Sequence, residues 1–493
     1  MTDRARWLAA MAGVSAIGLV GPIATGDGVV DDAWISWRYA EHAALGHGFV
    51  YNAGEPPVEG FTNLAWTGLL AAAAAARVTP AVAFAGLGCV GAALAPAGVV
   101  ALARILGSTV LPAAIAGFAL AVSPHFAVVA GNGIESAMWV AAVLWSGVAI
   151  LGTGTAPAAV AMALLVAVRP EGAAVALIWL LGRVHPDRGR LGVAWLAGIS
   201  AISVWRLATY GRWLPNTWEA KLARPLGEQI QFNLSFLTPD REVWIASAVA
   251  LLLVPLGFGR DRRRWATWMV ALVLGALAFR VDLWMPGGRL LQPVCALTLA
   301  LLAPSRAGYL SLGWALILPF TPPGQHPVSY DGRHTVRPGS PPHAVGHWLA
   351  DHAPPGAWLA TRDAGLLAAA VGPAVRVAEL HERALTQPHP GARDADWRTY
   401  TPPDPEFVVP TVQRADAPAS RYASDRALLL SLRRPYRYLG RVEQHYHRYY
   451  DVYVRADLAI PDLPSEWVVN RRGPEPAPGD RPFPTLPSDR PPR

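Results

Sequence analysis

Twelve apolar runs follow one another through the first 320 residues, at about 7–23, 61–76, 80–103, 109–123, 137–152, 156–168, 171–182, 191–208, 243–258, 265–279, 289–303 and 307–320. A helical bilayer span takes about 20 apolar residues. Inside the bilayer every backbone N–H and C=O must be bonded within the protein, so a chain of this pattern folds as a helix bundle. Charged residues make up 16% of the chain and hydrophobic ones 53%; an ordinary soluble domain is about 25% charged. The pattern is that of a polytopic α-helical membrane protein. The first run resembles a signal peptide. It lacks a small-x-small cleavage site before the acidic residues that follow, and further spans come after it, so it reads as a retained helix.

The arginines orient the bundle. The net charge is +7, and its placement matters more than its sum. Arg4 and Arg6, Arg104, the stretch Arg183–Arg190, Arg260–Arg264 and Arg306 fall in breaks between apolar runs, as cytoplasmic loops do. With the N-terminus inside, a full crossing by 61–76 would put 183–190 and 260–264 outside. A juxtamembrane or re-entrant helix at 61–76 brings every basic loop inside and leaves about eleven spans. The outward segments are then 24–60, 124–136, Arg169–Gly172, 209–242, 280–288 and everything after about 321. Basic residues scattered between spans, without a stripe interleaved with aromatics, exclude a nucleic-acid partner. Cys89 and Cys295 both lie in apolar runs, which excludes a disulfide framework and a thiolate metal cage.

After residue 321 proline, histidine, arginine and acidic residues dominate. Residues 344–353 read as a short amphipathic helix. Strand patterns at 358–361 and 375–380 flank an Asp363-Ala364-Gly365 turn, and 449–454 reads as another strand. The expected division is a membrane part at 1–320, a small extracytoplasmic α/β domain at 321–470 and a disordered tail at 471–493. No internal repeat is evident.

The polar residues that break the apolar pattern concentrate on the outward segments. Asp31-Asp32-Ala33-Trp34-Ile35-Ser36-Trp37-Arg38-Tyr39 follows the first span directly. Carboxylates at a membrane boundary are costly. Their tasks are to deprotonate an acceptor hydroxyl or hold a metal ion; the plain alternative is a helix N-terminus, whose dipole favours acids. Neighbouring helical residues point about 100° apart, so Asp31 and Asp32 need not share a role. The turn-rich stretch Gly46–Asn63, with His47, Glu59 and Asn63, reads as a loop folded over a polar ligand, or else as a plain connector. Glu135 opens the run at 137–152 from the same side. Arg169, Arg206, Arg212, Lys221 and Arg289 stand on outward segments against the general trend. Arginines there suit an anion such as a lipid phosphate; the alternative is snorkelling to headgroups.

Taken in order, these segments resemble the GT-C membrane glycosyltransferases, and among them the mycobacterial terminal arabinofuranosyltransferase-like branch. The resemblance rests on the Asp31–Tyr39 run, Gly46-His47-Gly48-Phe49-Val50-Tyr51-Asn52 and Val58-Glu59-Gly60-Phe61-Thr62-Asn63. It continues through Gly133-Ile134-Glu135-Ser136-Ala137, Arg169-Pro170-Glu171-Gly172, Tyr210-Gly211-Arg212-Trp213-Leu214-Pro215-Asn216-Thr217, Pro286-Gly287-Gly288-Arg289 and Asp363-Ala364-Gly365, covering residues 1 to about 455. It implies a GT-C-type bundle in a bacterial plasma membrane. The enzyme would take a sugar from a polyprenyl phosphate at the outer face and pass it, with inversion, to a glycan, lipid or protein of the cell envelope. Asp31 is then the expected base, with Asp32 the second choice. Arg169, Arg289, Arg212 and Lys221 are expected at the donor phosphate. Arg38, Tyr39, His47, Glu59, Asn63, Glu135, Glu171 and Asn216 are expected along the substrates. Asp31, Asp32 and Glu135 offer oxygen ligands for a divalent cation, Mg²⁺, Mn²⁺ or Ca²⁺, although arginine alone would neutralise a phosphate. The competing reading is a non-enzymatic lipid-linked sugar carrier or flippase. A transporter places polar groups near the bilayer midplane, commonly between repeated halves; here they gather at one face.

A reporter enzyme fused to the C-terminus is expected to be active only outside the cytoplasm. Cytoplasmic activity would overturn the span count.

Overall fold

The structure is a computed structural model that describes residues 2–25, 29–184, 186–218, 225–237, 241–280, 288–304, 335–336, 340–380, 404–412, 432–445 and 448–470. The expected run at 307–320, Lys221, Pro286, Gly287 and the tail at 471–493 lie outside the described residues. The first half of the bundle comprises α1 (Asp3–Gly18), α2 (Val20–Thr25), the short strand β1 (Val29–Val30), α3 (Asp31–Ala44), α4 (Leu64–Ala75), α5 (Pro80–Ile105), α6 (Val110–Ala121), α7 (Pro124–Gly131) and α8 (Ser136–Gly152). Then come α9 (Thr155–Val168), α10 (Gly172–Gly182), α11 (Arg188–Tyr210), α12 (Leu226–Leu237), α13 (Arg241–Leu253), α14 (Arg262–Ala278) and α15 (Gln292–Leu302). Prolines at the first turn begin α5 and α7, where the missing N–H costs nothing. Asp261 caps α14 by accepting from the amides of Arg263 (2.9 Å) and Arg264 (3.4 Å).

Among the described residues, three helices are long and apolar enough to cross a membrane: Asp3–Ile23, α5 and α11. The pair α6 and α7, bent by 59° at the break before Pro124, makes a fourth if it counts as one span. The other apolar helices are shorter. With 12 residues, α4 is about 18 Å long, well short of a hydrocarbon core of about 30 Å. Small residues let the helices approach: a Cβ on Gly91 would stand 2.7 Å from the Met138 amide nitrogen.

The basic breaks gather at one end of the bundle. Arg264 reaches across to the Leu106 carbonyl (3.0 Å), Arg104 lies over the Trp7 ring, and Arg188 and Arg262 both donate to the Leu181 carbonyl. The 26-residue α5, about 39 Å long, runs from this end to the other, where Phe84 packs edge-on against Trp34 and Trp37. The acidic run and the arginine loops are thus held at opposite ends of one helix.

Beyond the bundle lie β2 (Thr335–Val336), α16 (Pro341–His352), β3 (Trp358–Thr361), α17 (Leu366–Ala370), β4 (Arg376–Glu379), β5 (Phe407–Val409), β6 (Thr411–Val412), β7 (Tyr436–His445), β8 (Arg448–Arg455) and β9 (Val468–Asn470). Seven of these strands form one mixed sheet of order β4-β3-β5-β8-β7-β9, with β6 also on β8. β3 is parallel to β4 and β5; the pairings with β8 and β9 are antiparallel. The alternation at 358–361, 375–380 and 449–454 thus belongs to strands, and the helix pattern at 344–353 belongs to α16.

The sheet and the acidic run share a core. Tyr39, Tyr51 and Phe61 pack with Val345, Leu359, Leu367 and Phe407, while Ala33, Trp34, Trp37 and Ala40 on the same α3 pack with Trp66, Phe84 and Leu366. Asn52 covers the open edge of β4: its Oδ1 accepts from the Val377 amide (2.9 Å) and its Nδ2 donates to the Val377 carbonyl (2.8 Å). Replacing Asn52 with Ala leaves two buried backbone groups unpaired, each worth about 1–3 kcal/mol. Asn52→Ala is expected to lower the thermal unfolding temperature in detergent; an unchanged midpoint would remove Asn52 from the joint.

Candidate active site at the start of α3

The chain enters α3 under restraint. The Val30 amide donates to the Asn132 carbonyl (2.9 Å), and β1 pairs antiparallel with β2. Asp31 and Asp32 then occupy the first helical turn, and both are partly exposed. Their surroundings differ. Asp31 is held by the sheet region: Oδ1 accepts from the Leu366 amide (2.8 Å) and Oδ2 from the Gly365 amide (3.1 Å). Desolvation, then the charge of Asp363, pushes the Asp31 carboxyl up to about 7; Asp32 adds to the rise and the two amides oppose it. Asp32 acts instead on Arg289, which also feels Glu135, Arg169 and Glu171.

Those residues form a second, buried layer. Arg169 donates through Nε (3.3 Å) and Nη2 (2.9 Å) to both oxygens of Glu171, and through Nη1 to Oε1 of Glu135. The other oxygen of Glu135 accepts from Asn63 Nδ2 (2.7 Å), and Asn63 Oδ1 accepts from the Thr67 hydroxyl (3.0 Å). Burial works against ionisation of Glu135, but Arg169 and Arg289 hold its carboxyl below the usual range. Arg289 is 8% exposed, and among the described residues its buried Nε has no hydrogen-bond partner. A buried guanidinium donor without an acceptor is a costly feature, and it suits an incoming anion.

Several sequence expectations change. Arg38 is not available to a substrate. Its five N–H groups meet the carbonyls of Tyr51 (2.8 Å), Gly372 (3.0 Å), Val375 (2.8 Å) and Ala368, and the Asn52 Oδ1 (3.3 Å). Tyr39 is buried; its hydroxyl donates to the Val58 carbonyl (2.8 Å) and accepts from the Gly60 amide (3.0 Å). Both oxygens of Glu59 accept from Arg206 Nε (3.0 and 2.9 Å), and burial pushes its carboxyl up to about 7 against that pairing. Asn63 is spent on Glu135, and Glu171 on Arg169, which therefore orders the layer rather than standing ready for a phosphate. Asn216 is buried, with its amide on the Glu59 carbonyl (3.0 Å). His47 is exposed after α3, its ring edge-on to buried His42 at 5.9 Å. Arg212 is partly exposed just after α11.

Two of the three carboxylates that the sequence offers to a divalent cation already hold other partners. Asp31 is engaged by two amides and Glu135 by Arg169 and Asn63. Among the described residues no three His, Cys, Asp or Glu side chains gather as ligands. Asn52, Asp363 and Leu366 were not singled out as site residues from sequence. The signals were the Gly46–Asn52 motif and the Asp363-Ala364-Gly365 turn; the Leu366 amide left none, since a backbone amide leaves no mark in a sequence.

Removing Arg169 strands two buried carboxylates, a loss of about 3–5 kcal/mol. Arg169→Met is expected to unfold at markedly lower temperature, and Arg169→Met/Glu135→Gln/Glu171→Gln to recover part of the difference. Equal melting of the single and triple variants would contradict the charge balance described.

No protein-family profile matches the chain, and no curated protein matches it by sequence. Solved structures do. ArnT from Cupriavidus metallidurans, bound to undecaprenyl phosphate, superposes with a TM-score of 0.58 over 91% of this chain and 98% of that one, at 12% identity. That likeness shows a fold shared with ArnT. The mycobacterial arabinofuranosyltransferase AftD matches 92% of this chain at 17% identity and a TM-score of 0.49. This chain spans 42% of AftD's length, and at that score the likeness carries no inference.

Proposed function

We propose that this protein is a glycosyltransferase that moves a sugar from a polyprenyl phosphate to a cell-envelope acceptor at the outer face of a bacterial plasma membrane. The observation that carries this reading is that α3 opens with a carboxylate raised to about 7, while the charge of the next residue, Asp32, reaches a buried arginine, Arg289, whose Nε has no hydrogen-bond partner among the described residues. A base is most effective when its pKa lies near the working pH. Bound undecaprenyl phosphate in ArnT, a protein of the same fold, supports a lipid-phosphate donor.

The proposed reaction is a single displacement. The acceptor hydroxyl oxygen attacks the anomeric carbon, and its proton passes to Asp31. The bond from that carbon to the phosphate oxygen breaks, its electron pair stays on the polyprenyl phosphate, and the anomeric centre inverts. Charge developing on the departing oxygen is met by Arg289, a preorganised cation in a poorly hydrated setting. The Glu135–Arg169–Glu171 layer fixes the surroundings of Arg289, and Asp32 is the second carboxylate within reach of that charge. Arg212, partly exposed just after α11, is a further basic group for the donor phosphate. Donor sugar and acceptor are to be identified from the lipid-linked sugar that copurifies with the protein.

Asp31→Asn is expected to lower sugar transfer by about 10²- to 10⁴-fold, while membrane insertion and thermal unfolding stay near wild type. Full transfer activity in this variant would refute the assignment of the base.

A further inference from the structure

We propose that the turn Asp363–Leu366 is part of the active site, with the backbone amides of Gly365 and Leu366 positioning the carboxylate of Asp31. The proposal deepens the proposed function and rests on Asp31 as the base. It makes the C-terminal sheet region a contributor to catalysis through groups that a side-chain inventory does not reveal.

The contact is close and specific. Each carboxylate oxygen of Asp31 accepts from a different amide, at 2.8 Å from Leu366 and 3.1 Å from Gly365, which fixes both the position and the plane of the group. Each oxygen keeps a second lone pair, so the held carboxylate can still receive a proton. Position 365 tolerates no side chain, because a Cβ there would collide with the Asp31 carbonyl oxygen and carboxylate. The turn itself is held from several sides. The Asp363 amide donates to the Thr361 hydroxyl (3.3 Å), which donates to the Val409 carbonyl (3.0 Å). Asp363 Oδ2 accepts from the Thr411 hydroxyl (3.0 Å), and the Ala364 carbonyl from the Tyr51 hydroxyl (2.7 Å). Strands β3, β5 and β6 and the outer loop therefore all bear on where Asp31 sits.

Docking alone does not call for this arrangement. Arg38, Asn52 and Tyr51 already fasten the sheet region to the loop with uncharged acceptors. Placing a carboxylate in a desolvated site beside a second carboxylate works against docking at neutral pH. A folded-state pKa raised above the unfolded value means that the ionised group destabilises the fold. Such a cost, accepted where two amides already fix the carboxylate, points to chemistry rather than adhesion. The charged groups that act on Asp31 are Asp363 from the turn and Asp32 from its own helix.

The test uses the full-length enzyme in detergent or membranes, with the copurifying lipid-linked sugar as donor. Steady-state kinetics and the pH profile of kcat are measured for Gly365→Ala and Asp363→Asn. Gly365→Ala is expected to lower kcat about 10- to 100-fold, with acceptor KM changed less than about twofold, because the reacting group is displaced while binding is kept. The two variants should also move the acid limb of kcat in opposite directions. Losing the amides removes stabilisation of the carboxylate and shifts the limb to higher pH. Losing the neighbouring negative charge shifts it to lower pH. A role confined to packing moves neither limb. Wild-type kcat with unmoved limbs in both variants, alongside an inactive Asp31→Asn, overturns this proposal and leaves the base intact. An active Asp31→Asn overturns the base assignment instead. If Gly365→Ala does not accumulate, Asp363→Asn decides the matter, since asparagine can keep the hydrogen bond from Thr411.

Discussion

The buried guanidinium of Arg38 is the interaction on which the outer end of this molecule depends. A charge taken out of water is tolerated only when its donors are satisfied. All five N–H groups of Arg38 are matched by acceptors drawn from two places: Tyr51 and Asn52 of the loop that follows α3, and Ala368, Gly372 and Val375 around the end of α17. Arg38 also lies 5.0 Å from the Tyr51 ring centre, a favourable cation–π placement. Through this one side chain α3, its loop and the sheet region are tied together.

That unit explains how two neighbouring carboxylates acquire different chemistry. α3 is packed on the bundle through Trp34 and Trp37 and on the sheet region through Ile35 and Tyr39. Two residues at its start, turned about 100° apart, therefore look toward different partners. Asp31 meets amides and a like charge; Asp32 acts on Arg289. Environment separates the pair, as it does wherever two like groups share a site.

The bundle was legible because its signal is local and repeated. Among the described residues the apolar runs coincide with helices, and arginines stand at their ends. Arg104, Arg188, Arg262 and Arg264 gather at one end of the bundle. Short strands at 358–361 and 449–454 were legible from β-branched and aromatic residues. The site was legible only in part. Asp31, Glu135, Arg169 and Arg289 stood out because charges are rare in such a chain. Arg38 and Glu59 stood out for the same reason and Tyr39 as part of the acidic run, yet their partners are backbone groups or side chains far along the sequence. A polar residue in an apolar context signals a satisfied network as readily as a ligand contact.

The sequence by itself determined that this chain is a helical membrane protein with its acids and its arginine loops at different ends, because periodicity, span length and charge exclusion act over a few turns of chain. Only the tertiary structure decided which polar residues remain open to chemistry. Hydrogen-bond donors and acceptors are consumed pairwise, and the pairing of Asp31 with Gly365 and Leu366, across more than 330 residues, exists only once the chain has folded.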